Sequence, residues 1–325
     1  MPHALNLSNG NGIVAAAIQP GVYAPLNTFF DNDTQDLDLE TFKRHAYNIA
    51  SAGVGLVVGG SMGEAHHLAR SERKTLIETA RQVIDDNKFQ VQLIAGTGGN
   101  STRDTIELTK DAADAGADSA MVITPGYFAG ALSSKALKTF FVDVAKASPI
   151  PVIIYNYPGA SSGIDLNSDL IAEIAKSAPN VKGVKLTCGS VGKLSRLVSL
   201  RQDFVVLGGF VDFMAPGMML GASGCITGLA NVTPKSCRKL FELAQSGFKG
   251  NQQDFKAASQ LQQLVSAGDW TMQKGGINGT KDVLQRLNGY GGKPRRPILS
   301  YEEEGKDGQV LIDELKELLQ YEKTL

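Results

Sequence analysis

Short apolar runs alternate with longer amphipathic segments along this chain. The runs cover 22–26, 55–58, 91–95, 119–123, 152–155, 181–185, 204–207 and 224–227. Several are apolar without alternation, the pattern of parallel strands buried on both faces. Helical spacing between them predicts helices over 39–52, 72–84, 102–115, 134–147, 166–177, 191–199, 211–220 and 234–246. Start signals precede several of these: Asp38, Ser71, Ser101 with Asp104 three residues on, Ser133, and Thr233 before Pro234. Eight strand–helix units in strict alternation predict a (β/α)8 TIM barrel over 21–248, with a large doubly wound sheet as the competing architecture. Three further helical patterns, at 252–265, 276–287 and 308–319, predict a C-terminal helical extension over 249–325. A Gly/Pro hinge at 289–297 interrupts it. Residues 1–20 read as an irregular leader with a short hairpin at 13–18.

Charge narrows the possible partners. Lys and Arg number 32 against 33 Asp and Glu, a formal net charge of -1, and no block of five like charges occurs. Nucleic-acid binding is therefore not expected, because it usually requires a basic face. The uncharged stretch 213–232 has glycines at membrane-helix spacing. Pro216, Ser223, Thr227 and Asn231 make it too polar to span, so no membrane partner is expected. Three cysteines (Cys188, Cys225 and Cys237) form no CxxC and suggest unpaired thiols in a reducing compartment. The first basic residue is Lys43. With no basic leader visible, the expectation is a cytoplasmic protein.

In such a barrel the active site lies at the C-terminal strand ends. Glycine concentrates there, in 59–63, 96–99, 126, 208–209 and 228, and accounts for much of the excess carried by 36 glycines. The expected reason is close approach of backbone N–H groups to an anion. Lys185 ends the sixth run. Strand alternation places it on one face with Val181 and Gly183, pointing into the barrel mouth where Gly183 leaves room. A free lysine has a pKa of ~10.4, so only about one in 2,000 is unprotonated at pH 7. Burial lowers that pKa and turns the amine into a nucleophile towards carbonyls. The competing reading is a surface lysine at a frayed strand end. Tyr127 and Tyr155 follow the fourth and fifth runs, and a phenol near a hydroxyl such as Ser61 could relay the protons that imine chemistry requires. Each tyrosine could equally be core packing with its hydroxyl at the rim. His66 and His67 are adjacent and would point apart, so no metal site is expected.

Five segments in order, GSMGEAHHLARSER, IAGTGGNST, ITPGYF, IIYNYPG and GVKLT, resemble the dihydrodipicolinate synthase/N-acetylneuraminate lyase superfamily of pyruvate-dependent class I aldolases. The likeness runs from about residue 21 to 297. It implies a TIM barrel, usually a homotetramer built as a dimer of dimers. It implies a lyase in which Lys185 forms a Schiff base with pyruvate, with no cofactor beyond that covalent imine. Tyr155 would be the acid/base, Ser61 would join a proton relay, and Tyr127 would complete the relay across a subunit boundary. The N–H groups of Ser61 and Met62 would bind the substrate carboxylate, and Gly209 and Ile226 would line the pocket.

Three departures narrow the substrate. Met62 stands where many members carry a second hydroxyl residue. The segment 159–163 lacks the arginine with which lysine-pathway synthases grip a second carboxylate. Leu186 and Thr187 follow the lysine where the family carries an acidic residue. These point away from dihydrodipicolinate synthase, and towards an aldolase for 2-keto-3-deoxy sugar acids or 4-hydroxy-2-oxoglutarate. Dihydrodipicolinate synthase itself or a dehydratase using the same imine, and less so an inactive barrel serving as a binder, are the alternatives.

Overall fold

The computed structural model describes residues 18–325. All of the hairpin expected at 13–18 except Ile18, and most of the expected leader, lie outside the described residues. Eight parallel strands close into a barrel in sequence order: β1 (Gly21–Pro25), β2 (Gly55–Val58), β3 (Leu93–Gly96), β4 (Ser119–Ile123), β5 (Val152–Asn156), β6 (Val181–Leu186), β7 (Val205–Gly208) and β8 (Gly224–Ile226). Helices fill the gaps: α1 (Leu39–Ser51), α2 (Arg70–Asp86), α3 (Thr102–Asp114), α4 (Ser134–Ala147), α5 (Ser168–Ser177), α6 (Val191–Leu197), α7 (Met214–Met219) and α8 (Pro234–Phe248). The doubly wound alternative is thereby excluded.

Alternation along the strands divides the side chains, except at the start of β6, where a register shift against β5 turns Val181 outward rather than onto the face of Gly183 and Lys185 as expected. Val57, Ile94, Met121, Ile153, Leu207 and Ile226 point inward and fill the barrel interior. Leu56, Leu93, Val122, Ile154, Val184 and Cys225 point outward and pack beneath the helices. An apolar strand with no polar face is what this two-sided burial requires.

Capping fixes most helix starts. Asp38, Ser101 and Ser133 each accept the N–H three residues on. Ser71 does not cap α2. The helix begins at Arg70, directly after Ala69, and the Glu72 carboxylate accepts the Ala69 N–H at 2.7 Å. Thr233 makes no side-chain cap, so Pro234 alone marks that start.

The extension is more continuous than its sequence suggests. One helical run, α9 (Gln252–Asn288), replaces the two expected segments and breaks only at Gly276, whose φ is 61°. Gly268 and Gly275 look like interruptions but are contact points. A Cβ at Gly268 would lie 2.5 Å from the Leu318 side chain, and one at Gly275 would lie 2.9 Å from Leu311. Those leucines belong to the last two helices, α10 (Gly308–Glu314) and α11 (Lys316–Glu322), which pack into the same core as the barrel's outer face. Among the described residues no helix is long and apolar enough to cross a membrane.

Candidate active site at the barrel mouth

Lys185 occupies the inward face near the end of β6, opposite Tyr155 on β5 and Leu207 on β7. It is 4% exposed. Its Nζ sits 4.2 Å from the centre of the Tyr155 ring, and among the described residues it has no carboxylate partner. Burial lowers its pKa to about 7. The Cys225 thiol lies close enough to act on it, but burial pushes that thiol's own pKa up, so it supplies no compensating charge. A large fraction of the amine is therefore neutral near pH 7. The expected reason for the opening at Gly183 needs correcting. The space there is filled from β7, since a Cβ at Gly183 would lie 2.5 Å from the Val205 side chain.

Tyr155 is buried, and its hydroxyl lies 3.4 Å from Ser61 Oγ. Burial raises its pKa, so it remains a neutral phenol able to donate a proton. Tyr157 stacks on it at 5.8 Å. The structure thus brings Lys185, Tyr155 and Ser61 together. It does not bring Tyr127 to them. Tyr127 is 80% exposed and packs edge-on against Phe128, itself 66% exposed.

Ser61 and Met62 lie in a tight turn after β2. Gly63 and Ala65 donate to the Gly60 carbonyl, and Glu64 donates to that of Ser61. Among the described residues the N–H groups of Ser61 and Met62 make no backbone hydrogen bond, which leaves them free to meet an anion. Gly209 and Ile226 border the same mouth. Rim glycines serve packing as much as anion approach, however. A Cβ at Gly96 would lie 2.0 Å from the Gly59 carbonyl oxygen, and one at Gly209 would lie 2.1 Å from Thr187 Oγ1.

Thr187 is a residue that sequence reasoning passed over as a mere departure. It shares the inward face of Lys185. Its Oγ1 is buried close enough to Tyr155 to favour that phenol's ionised form, although among the described residues it makes no hydrogen bond of ordinary geometry. The alternation that placed Lys185 could have found it. His66 and His67 do diverge: His67 Nδ1 faces Glu64 at 3.1 Å, while His66 lines a cavity of about 260 Å³ with Asn100, Thr124 and Tyr127.

The fold is a closed parallel barrel whose C-terminal mouth holds a buried lysine that, among the described residues, has no carboxylate partner. The chain belongs to the dihydrodipicolinate synthetase family, whose sequence profile matches residues 19–316. It is 40% identical to an L-threo-3-deoxy-hexylosonate aldolase of Aspergillus niger, across 95% of this chain and 97% of the relative. It is 42% identical to a protein of Emericella nidulans named "Probable 4-hydroxy-2-oxoglutarate aldolase, mitochondrial", across 94% and 97%. Among solved structures, a dihydrodipicolinate synthase family protein from Coccidioides immitis superposes with a TM-score of 0.83 at 38% identity, covering 95% of this chain and 98% of that one. The expectation of a cytoplasmic protein is corrected by these relatives, because the Emericella protein is named as mitochondrial. That expectation rested on the lack of a basic leader, and an absence of basic residues does not fix a compartment.

Proposed function

We propose that this protein is a Schiff-base aldolase that cleaves or forms a 2-keto acid, with pyruvate as the common product or donor. The reading is carried by Lys185, an amine buried with no carboxylate partner among the described residues and set against the Tyr155 phenol, which can shuttle its protons. The aldolase names of the Aspergillus and Emericella relatives support it. In this reading the neutral Lys185 amine attacks the substrate C2 carbonyl and forms an N–C bond. Tyr155 protonates the resulting hydroxyl, which leaves as water and gives the iminium. The C3–C4 bond then breaks, its electron pair moving into the iminium to give an enamine. The C4 hydroxyl proton passes to the Tyr155 phenolate, relayed by Ser61, and the aldehyde departs. Protonation at C3 and hydrolysis release pyruvate and restore the amine. The protonated imine is the electron sink, so the scheme needs no metal or organic cofactor.

The Ser61 and Met62 N–H groups would take the carboxylate, while Gly209 and Ile226 border the pocket. With no cation in 159–163, the distal part of the substrate would carry hydroxyls rather than a strongly gripped second carboxylate. This favours 2-keto-3-deoxy sugar acids, followed by 4-hydroxy-2-oxoglutarate. The exposed Tyr127–Phe128 pair suits burial against a second copy, consistent with a tetramer in which Tyr127 completes a neighbouring site. The mitochondrial name of the Emericella relative supports a mitochondrial setting.

Incubation with pyruvate, borohydride reduction and mass mapping test the proposal. An adduct on Lys185 is expected, and none there rejects the mechanism. Pyruvate release from the two substrate classes then ranks them, and robust condensation of pyruvate with aspartate semialdehyde would overturn the substrate reading.

A further inference from the structure

Glu64 closes the Gly60–Gly63 turn, yet its side chain is wholly buried on the side of the C-terminal extension. Its own backbone is left-handed, with φ 55° and ψ 39°. A non-glycine residue holds that conformation only where its surroundings over-determine it. The surroundings here come from more than two hundred residues away. Lys281 Nζ on α9 donates to Glu64 Oε1 at 2.6 Å and to the Lys293 carbonyl at 3.1 Å. The Arg295 N–H donates to Glu64 Oε2 at 2.9 Å. The Arg295 guanidinium grips both oxygens of Glu72 at 2.9 and 2.7 Å, and donates to the carbonyls of His67 and Gln35. A bidentate, charge-assisted fork of this kind is among the stronger polar contacts. From the opposite side, Asn27 Nδ2 donates to the Met62 carbonyl at 3.2 Å and Thr28 Oγ1 donates to that of Gly63 at 2.7 Å.

The turn is therefore held from both flanks while the N–H groups of Ser61 and Met62 stay unspent. We infer that the Glu64–Lys281–Arg295 cluster, with Thr28 opposite, is a positioning device that lets the C-terminal extension set the geometry of the carboxylate-binding turn. This rests on the reading of that turn given above. The Glu64, Lys281 and Thr28 side chains are buried beneath the turn rather than open to the mouth. They act by keeping two backbone donors aimed at one point, where a small misplacement weakens anion binding steeply.

The test measures reductive trapping of Lys185 as a function of ketone concentration, with pyruvate and with acetone, which lacks a carboxylate. The variants are Thr28→Val, and Glu64→Gln combined with Lys281→Met, which removes both buried charges together and leaves neither unpaired. Half-saturating pyruvate should rise at least fivefold in both variants, with the limiting trapping rate and the acetone rate within about twofold of wild type. Circular dichroism confirms folding of each. Unchanged pyruvate saturation, or parallel losses with pyruvate and acetone, would overturn the positioning role. Failure of wild type to trap pyruvate at all would instead reject the underlying reading of the turn, and the inference with it.

Discussion

Among the described residues three lysines are buried, Lys185, Lys193 and Lys281, and the first and last of them have been treated in opposite ways. Lys281 is 0% exposed and has a carboxylate at 2.6 Å, a carbonyl at 3.1 Å and the Phe30 ring at 4.6 Å. Burial lowers its pKa, but Glu64 pulls it back towards the charged form. Lys185 is 4% exposed and has an aromatic face and, among the described residues, no counter-charge. A buried lysine with a partner is a structural joint. One without a partner is held ready to become neutral, and neutrality is what a nucleophilic amine needs.

The same substitution at both positions should therefore give opposite results. Lys185→Met should abolish trapping and reduce turnover by at least about 1,000-fold, the scale expected when a covalent nucleophile is removed. Its stability should hold, or rise by on the order of 1 kcal/mol, because an unpaired polar group leaves the interior. Lys281→Met should lower stability by about 3–5 kcal/mol, since it strands Glu64 in the interior. Urea unfolding of the two variants at pH 7 checks both. Equal destabilisation would erase the distinction between the lysines.

A second joint on the extension side sharpens the contrast under acid. His45 is fully buried between the Tyr290 hydroxyl at 3.1 Å and Asn231 Oδ1 at 2.9 Å. Burial lowers its pKa from 6.5 to about 4. The unfolded chain binds this proton more readily, so stability is intact above pH 6.5 and falls as pH drops towards 4. The loss from this group is at most about 3 kcal/mol. His45→Gln should flatten that segment of the stability profile measured by chemical denaturation. An unchanged slope would show that other groups dominate.

Lys185 responds over a different range. Only its neutral form attacks, so the trapping rate at low pyruvate should fall about tenfold per pH unit below pH 7. It should level off above. For stability the sign is also fixed: the unfolded lysine holds its proton up to about 10.4, so unfolding takes up a proton between pH 7 and 10 and stability rises with pH there. Stopped-time trapping from pH 5 to 9 reads the first effect. A flat profile would mean that Lys185 is neutral throughout or that proton transfer at Lys185 does not control the step.

The barrel was legible because strands buried on both faces must be apolar throughout, and eight such runs separated by amphipathic helices admit few closures. Lys185 was legible because two-residue alternation decides which side a strand residue faces. What the sequence hid was pairing at a distance. Nothing near Glu64 in the chain signals Lys281, 217 positions on, and nothing near His45 signals Asn231 or Tyr290. The continuity of α9 was hidden for a different reason. Gly268 and Gly275 carry the signature of helix interruption, and only the Leu311, Leu315 and Leu318 side chains that come against them show why small residues stand there.

The pairing principle extends from lysines to two threonines near the same mouth, where its effects are smallest. Thr227 follows β8 and points outward, and its Oγ1 donates to Asp269 Oδ1 at 2.9 Å. Thr187 follows β6 and points inward, and its buried Oγ1 lies near Tyr155 without a well-formed hydrogen bond among the described residues. Valine replaces either with the same shape. At Thr227 it should cost about 1–3 kcal/mol by leaving the buried Asp269 a donor short, with little change in activity. At Thr187 it removes a hydroxyl whose contact with Tyr155 is weak in the free protein, so the change in stability should be small. If that hydroxyl meets a substrate hydroxyl, cleavage of a 2-keto-3-deoxy sugar acid should weaken by about 3- to 10-fold in kcat/KM, the scale of one ordinary hydrogen bond. Trapping by pyruvate, which offers no such hydroxyl, should not change. Equal losses with both compounds would place Thr187 in the packing around Lys185 rather than in substrate selection.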